Sequence, residues 1–330
     1  MLYLLASILL VLNPVIGSLI ADSKIPQIAS TFEAILFGMQ IRETQKNNNG
    51  QFYQLPLQAD IFIANQYLPS APLRDWRTEE PEIKAKTALI YDTTHQTILY
   101  KKNDILESQP IASITKLMTA LVAVQNSNLN SLIKVSKEAV QTEGEMGGLV
   151  AGEELTIKSL LFALLLESSN DAAIALAQNI PFPTGDSSVQ KFVELMNKKT
   201  KELNLKKTAF ADPSGLDPQN YSSAWDINLM MQEILKDNTL KEILQTREAD
   251  IHSVDGHFNH HLISTNKLLG IVPEIIGGKT GYIEEAGNCM TAAFNSPSNE
   301  GDIITVVIDS PDRIAETKTL FEWTKKAYLW

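Results

Sequence analysis

A chain of 330 residues, 44% of them hydrophobic, has enough apolar material to bury a full core as one large domain or two small ones. Its formal net charge of −11 speaks against a nucleic-acid partner. One cysteine, Cys289, excludes an intrachain disulfide and reads as a small buried apolar residue.

In chain order, Leu2 to Leu12 is apolar except for Ser7, Asn13-Pro14 interrupts it, and Val15 to Ala21 largely resumes it. With the small residues Gly17 and Ala21 beyond the break, residues 1–21 predict a signal peptide or an uncleaved membrane anchor, and export in either case. No Lys or Arg precedes Lys24, so the usual basic flank is missing. Residues 22–81 carry the Asn47–Asn49 run and a Pro-rich tract from Pro56 to Pro81. They predict an irregular spacer with one short helix near Ile28–Gln40.

The pattern tightens from Glu82, where a domain spanning 82–330 is predicted to begin. Thr87–Asp92 and Thr97–Tyr100 flank a polar turn and predict a hairpin. Ile114–Gln125 has helical apolar spacing, Glu154–Ala177 reads as two helices joined near Ser168–Asn170, and Ser188–Leu203 is amphipathic. Asp226–Ile243 is largely helical. Gly277–Tyr282, Asn288–Phe294 and Ile303–Asp309 read as strands, and Arg313–Tyr328 as a closing helix that packs through Leu320, Phe321 and Trp323. Strands at both ends with a helical middle exclude a regular βαβ alternation. They predict an α+β fold, an antiparallel sheet flanked by helices with a mostly helical insert. His257, His260 and His261 are the nearest thing to a metal cluster and read as a polar loop, so no metal is expected.

Three short motifs carry chemistry. The first is Ser113-Ile114-Thr115-Lys116. On a helix a serine and a lysine three apart share a face, so the amine can take the hydroxyl proton, and the helix N-terminus adds positive potential. Alone, this pattern equally describes a helix cap and a surface lysine. The second is Ser168-Ser169-Asn170, which can project a hydroxyl and an amide from a turn, or simply be loop chemistry. The third is Lys279-Thr280-Gly281 after Gly277-Gly278. Its lysine and hydroxyl suit a carboxylate and its glycine admits a close backbone, whereas the phosphate-loop pattern is not met because Pro273 stands five before Gly278.

S-x-x-K, S-x-N and K-T-G in this order resemble the set found in penicillin-binding proteins and class A β-lactamases. Wider segments sharpen the likeness: Ile111–Ala120, Leu164–Ala173, Phe210–Asp217, Ser264–Leu269 and Gly278–Tyr282 are similar to those of the low-molecular-mass D-alanyl-D-alanine carboxypeptidases, peptidase family S11. The likeness runs from Glu82 to Trp330 and leaves residues 1–81 uncovered. It implies the β-lactamase/penicillin-binding-protein transpeptidase-like fold. Two departures stand out. Ser169 occupies a position where the family usually has glycine, which predicts an extra hydroxyl near the cleft. The chain ends after the closing helix, without the family's frequent β-rich domain and amphipathic anchor, so membrane association would fall to the N-terminus.

The resemblance implies a mechanism. Ser113 attacks the penultimate D-Ala carbonyl of a peptidoglycan stem peptide, and Lys116, kept neutral partly by the Lys279 cation, takes its proton. The N–H groups of Ser113 and Tyr282 hold the oxyanion, Ser168 passes a proton to the leaving D-Ala, and Asn170 holds the substrate amide. Lys279 and Thr280 receive the chain-end carboxylate, and Gly281 lets the substrate backbone approach closely. No cofactor is needed, and β-lactams are expected as covalent inhibitors. No carboxylate is defensible for deacylation, and Glu167 is expected to face solvent or end its helix. The alternatives are a D,D-endopeptidase, a β-lactamase or an esterase of the same fold, or a catalytically silent wall-binding protein.

Overall fold

The computed structural model describes residues 71–144, 148–181, 185 and 187–330. The signal or anchor segment, most of the spacer and the Ile28–Gln40 helix lie outside the described residues. Five strands form the main sheet: β1 (Thr87–Asp92), β2 (Thr97–Lys102), β3 (Ile275–Ile283), β4 (Gly287–Asn295) and β5 (Asp302–Ser310). They pair antiparallel in the order β3-β4-β5-β1-β2, so the last three strands of the chain join the first two.

β1 is buried along its whole length, because both faces of the sheet are covered. Ala88 and Ile90 point to one side, with Phe294, Val307, Leu320 and Phe321. Leu89 points to the other, with Val306, Leu117, Leu121 and Met230. The first face is covered by the closing helix (Arg313–Ala327), where Phe294 and Phe321 stack with centroids 4.0 Å apart and Leu320, Phe321 and Trp323 are buried as expected. Each such ring is worth about 2–3 kcal/mol of burial.

The second face is covered by the helical insert. It comprises α1 (Lys116–Asn126), α2 (Ile157–Phe162), α3 (Asn170–Asn179), α4 (Val189–Glu202), α5 (Ala224–Lys236) and α6 (Asn238–Gln245); the closing helix is α7. Serine, threonine or aspartate side chains cap most of these: Ser188 Oγ accepts from Lys191 N, Ser223 Oγ from Asp226 N, and Asp237 from Leu240 N.

Three expectations are corrected. Glu154–Thr156 is a strand paired with Leu132–Lys134, and the helix starts only at Ile157, because Thr156 Oγ1 accepts from Ser159 N and caps it. The histidines are not a loop cluster: Glu248–His252 and Asn259–Ile263 form a hairpin that places His260 and His261 in its second strand and His257 in its turn. His260 Nε2 lies 2.8 Å from Glu153 Oε2, tying the hairpin to the insert. The second strand breaks the period-two pattern in the sequence, because polar His260 faces inward opposite Ile251 while apolar Ile263 is exposed. Finally, the folded unit begins before Glu82. Leu73–Arg74 pairs with Tyr328–Leu329, the Arg74 guanidinium lies over Trp76, Trp323 and Tyr328, and Trp323 Nε1 donates to Glu79 O at 2.8 Å. This packing comes from the far end of the chain and leaves no local periodicity.

Cys289 is buried in β4, and desolvation pushes its thiol up to about 11. The thiolate is the reactive form, so the folded protein is expected to leave Ellman's reagent uncoloured at pH 8 and to release one equivalent on denaturation. A full equivalent from the native state would contradict this burial.

Candidate active site

A short 3₁₀ turn, Ala112–Thr115, runs directly into α1 and carries Ser113 at the helix entrance. It is held by the pairing of Gln109–Pro110 with Tyr221–Ser222 and by Ile111 N donating to Asn220 O. Lys116 follows one turn later on the same face. Its side chain is fully buried, and Nζ lies 2.8 Å from Ser113 Oγ, 2.7 Å from Asn170 Oδ1 and 2.6 Å from Ser214 O.

The second motif sits where a helical run ends. Ala163–Glu167 widens into a π-turn, a feature frequent at functional sites, and Ser168 then adopts the left-handed region with φ 67°. A non-glycine residue there costs about 1 kcal/mol or more, which the surrounding contacts must offset. Ser168 Oγ accepts from Lys279 Nζ at 2.8 Å. Asn170 opens α3, and its Nδ2 donates to Glu143 O at 2.9 Å, which turns Oδ1 toward Lys116. Ser169 is not a cleft residue: its hydroxyl is buried and accepts from Ala172 N as the cap of α3. The expected extra hydroxyl near the cleft is thus absorbed by the helix terminus. Glu167 ends the π-turn and accepts from Ile263 N at 3.2 Å.

The third motif lies on β3, one of the two edge strands of the sheet. Lys279 is fully buried and also donates to Thr280 O at 2.8 Å. Thr280 Oγ1 donates to Thr265 Oγ1 at 2.8 Å. A Cβ on Gly281 would lie 2.9 Å from both Ile111 O and Ser113 N, so only glycine lets the edge strand meet the turn that carries Ser113. Tyr282 is 61% exposed at the lip.

Folding therefore gathers the three motifs around one cleft of about 570 Å³, lined by Ser113, Ser168, Asn170, Thr280, Gly281 and Arg313 among others. Lys116 and Lys279 lie at its floor, 2.8 Å from the two serine hydroxyls. No carboxylate is among the described lining residues, and the cationic groups there favour an anionic ligand in an otherwise acidic protein.

Two groups at this site escaped the sequence reading. Arg313 opens α7 and its Nη1 donates to Gly281 O at 2.6 Å, bringing a guanidinium to the cleft. No motif marks it; only the antiparallel return of β5 beside β4 carries it there. The Asp212–Asn220 loop supplies Ser214 O, Gly215 and Leu216. Its segment carried family likeness, but nothing in it named a carbonyl as a partner for Lys116.

A family model described as D-alanyl-D-alanine carboxypeptidase, Peptidase_S11, matches residues 75–312. D-alanyl-D-alanine carboxypeptidase DacF of Bacillus subtilis (strain 168) is 32% identical over 260 residues, 76% of this chain and 65% of that protein. A D-alanyl-D-alanine endopeptidase of Pseudomonas aeruginosa is 31% identical over 255 residues, covering 76% and 79%. The crystal structure of the Streptomyces K15 DD-transpeptidase is similar with a TM-score of 0.68 at 26% identity, covering 74% of this chain and 98% of that one. This chain belongs to the D-alanyl-D-alanine carboxypeptidase family of serine peptidases, family S11.

Proposed function

We propose that the chain is a serine D-Ala-D-Ala carboxypeptidase that removes the terminal D-Ala of peptidoglycan stem pentapeptides on the outer side of the cytoplasmic membrane. Among the described residues no helix is long and apolar enough to cross a membrane; residues 1–21, which lie outside them, have the composition of a signal or anchor segment. The observation that carries the proposal is the shell around Lys116 Nζ. Asn170 Oδ1 and Ser214 O, two of the groups around it, can only accept. An amine that has given up one proton can donate to both and still turn its lone pair to the Ser113 hydroxyl, 2.8 Å away. That is the arrangement of a base ready to deprotonate its nucleophile.

The steps are those the family resemblance implies, and the contacts described above support them. Ser113 Oγ bonds to the penultimate D-Ala carbonyl carbon as its proton passes to Lys116. The oxyanion is held by the N–H groups of Ser113 and Tyr282, each worth about 3 kcal/mol. The C–N bond then breaks and Ser168 delivers a proton to the departing amine, drawing on Lys279, 2.8 Å away. Asn170 positions the substrate amide. Lys279, Thr280 and Arg313 receive the free carboxylate, selecting a chain end. Water cleaves the acyl-enzyme, and β-lactams acylate the same serine.

Release of D-Ala from a stem pentapeptide, compared with cleavage of a cross-linked muropeptide dimer, tests the reading. Faster dimer cleavage would make the protein an endopeptidase, and neither product from a folded, penicillin-unreactive protein would make it a silent wall-binding protein. Lys279→Ala removes a charge-assisted contact worth roughly 1.5–3 kcal/mol, so kcat/KM for the pentapeptide is expected to fall about 10–100-fold. An unchanged kcat/KM would remove Lys279 from the carboxylate site.

A further inference from the structure

The Asp212–Asn220 loop is organised around one carboxylate. Asp212 Oδ1 accepts from Ser214 N at 2.5 Å, Ser214 Oγ at 2.7 Å and Gly215 N at 2.7 Å. Its Oδ2 accepts from Asp217 N at 2.7 Å and Asn220 Nδ2 at 2.6 Å. An ordinary aspartate turn needs one or two of these bonds. The loop they shape rests on the nucleophile from three directions. Ser214 O accepts from Lys116 Nζ and Pro213 O from Thr119 Oγ1, both at 2.6 Å and both on α1. Gly215, at φ +89°, lies so close that a Cβ there would collide with Ala112 O. Asn220 O accepts from Ile111 N, two residues before Ser113.

One peptide unit joins the two ends of this arrangement. Its N–H, on Gly215, donates to Asp212, and its C=O, on Ser214, accepts from Lys116. A peptide hydrogen-bonded to an anion on one side becomes a stronger acceptor on the other. We infer that Asp212 is a positioning residue for acyl transfer: through the Ser214–Gly215 peptide it holds the Lys116 amine in line with the Ser113 hydroxyl. This rests on the acyl-enzyme reading above and adds to it a group outside all three motifs. Burial alone would raise the Asp212 carboxyl, but the Ser214 hydroxyl and the N–H groups of Asp217, Gly215 and Ser214 together hold it below the usual carboxylate range. The device therefore stays charged at neutral pH, and its stabilisation is lost only as the pH falls below about 4.

The test is stopped-flow acylation by a reporter penicillin, separating the pre-acylation dissociation constant from the acylation rate constant, with melting temperature measured alongside. Asp212→Asn keeps the size but turns an amide N–H₂ toward donors. The acylation constant is expected to fall about 10–100-fold with the dissociation constant changed less than about 3-fold. Ser214→Ala, which removes one of the five donors, is expected to slow acylation about 2–5-fold without loss of folding. Asp237→Ala, which removes the side-chain cap of α6, serves as a destabilised control with wild-type acylation. A folded wild type that takes no penicillin overturns the acyl-enzyme reading and this inference together. With wild type labelled, wild-type acylation in Asp212→Asn, or slowing matched by Asp237→Ala at equal loss of stability, overturns the inference alone. Should Asp212→Asn fail to fold, Ser214→Ala decides, and wild-type acylation in that variant overturns it.

Discussion

Ser113→Ala is expected to abolish covalent labelling by fluorescent penicillin and to lower D-Ala release by on the order of 10⁴-fold or more, with the melting temperature nearly unchanged. The size of the effect follows from covalent catalysis: without the hydroxyl no acyl-enzyme forms, and what remains is binding and oxyanion polarisation. The small stability cost follows from the position. Ser113 stands at the cleft end of a turn whose backbone is held by Ile111, Asn220 and Gly281, so losing one hydroxyl opens no cavity in the core. The Lys116 amine keeps Asn170 Oδ1 and Ser214 O. Labelling retained in folded Ser113→Ala would place the nucleophile elsewhere.

Lys116→Ala is expected to slow acylation about 10²–10⁴-fold, the usual span for loss of a general base. Unlike the first substitution it should also destabilise. Lys116 is fully buried, and its removal leaves two acceptors without their donor, at about 1–3 kcal/mol each where water cannot replace it. Lys116→Arg separates base from cation. A guanidinium stays protonated at every accessible pH, so the variant should be inactive if the amine accepts a proton and partly active if only its charge matters. Acylation rates across pH 6–10 for the three proteins decide this, and near-wild-type acylation by Lys116→Arg would sink the base assignment.

The sequence was most legible where chemistry or packing is local. Ser113 and Lys116 sit three apart on a helical path, and the hydroxyl–amine contact follows from that spacing. The apolar runs of β1, β4 and β5 mark strands buried on both faces, and α4 and α7 announce themselves by their caps and apolar faces. Legibility failed where a partner comes from far along the chain. Ser169 looked like an extra cleft group because a sequence shows a hydroxyl but not its direction; the cap of α3 took it. The hairpin around His260 was hidden because its second strand turns a polar His260 inward, to Glu153, and an apolar Ile263 outward.

Taken alone, the residues and their order determined the family and the α+β class, and marked two serines, two lysines and an amide as the proposed reactive set. Tertiary structure decided that Asn170 and Lys116, 54 residues apart, share a hydrogen bond, and that Lys279 reaches Ser168 across 111 residues. It also brought in Arg313 and the carboxylate of Asp212, which no motif marks. The reason is that side-chain type and local period are written residue by residue. Which distant segments meet is set instead by strand order, and here β3 is an edge strand narrowed by Gly281 to fit against the Ser113 turn.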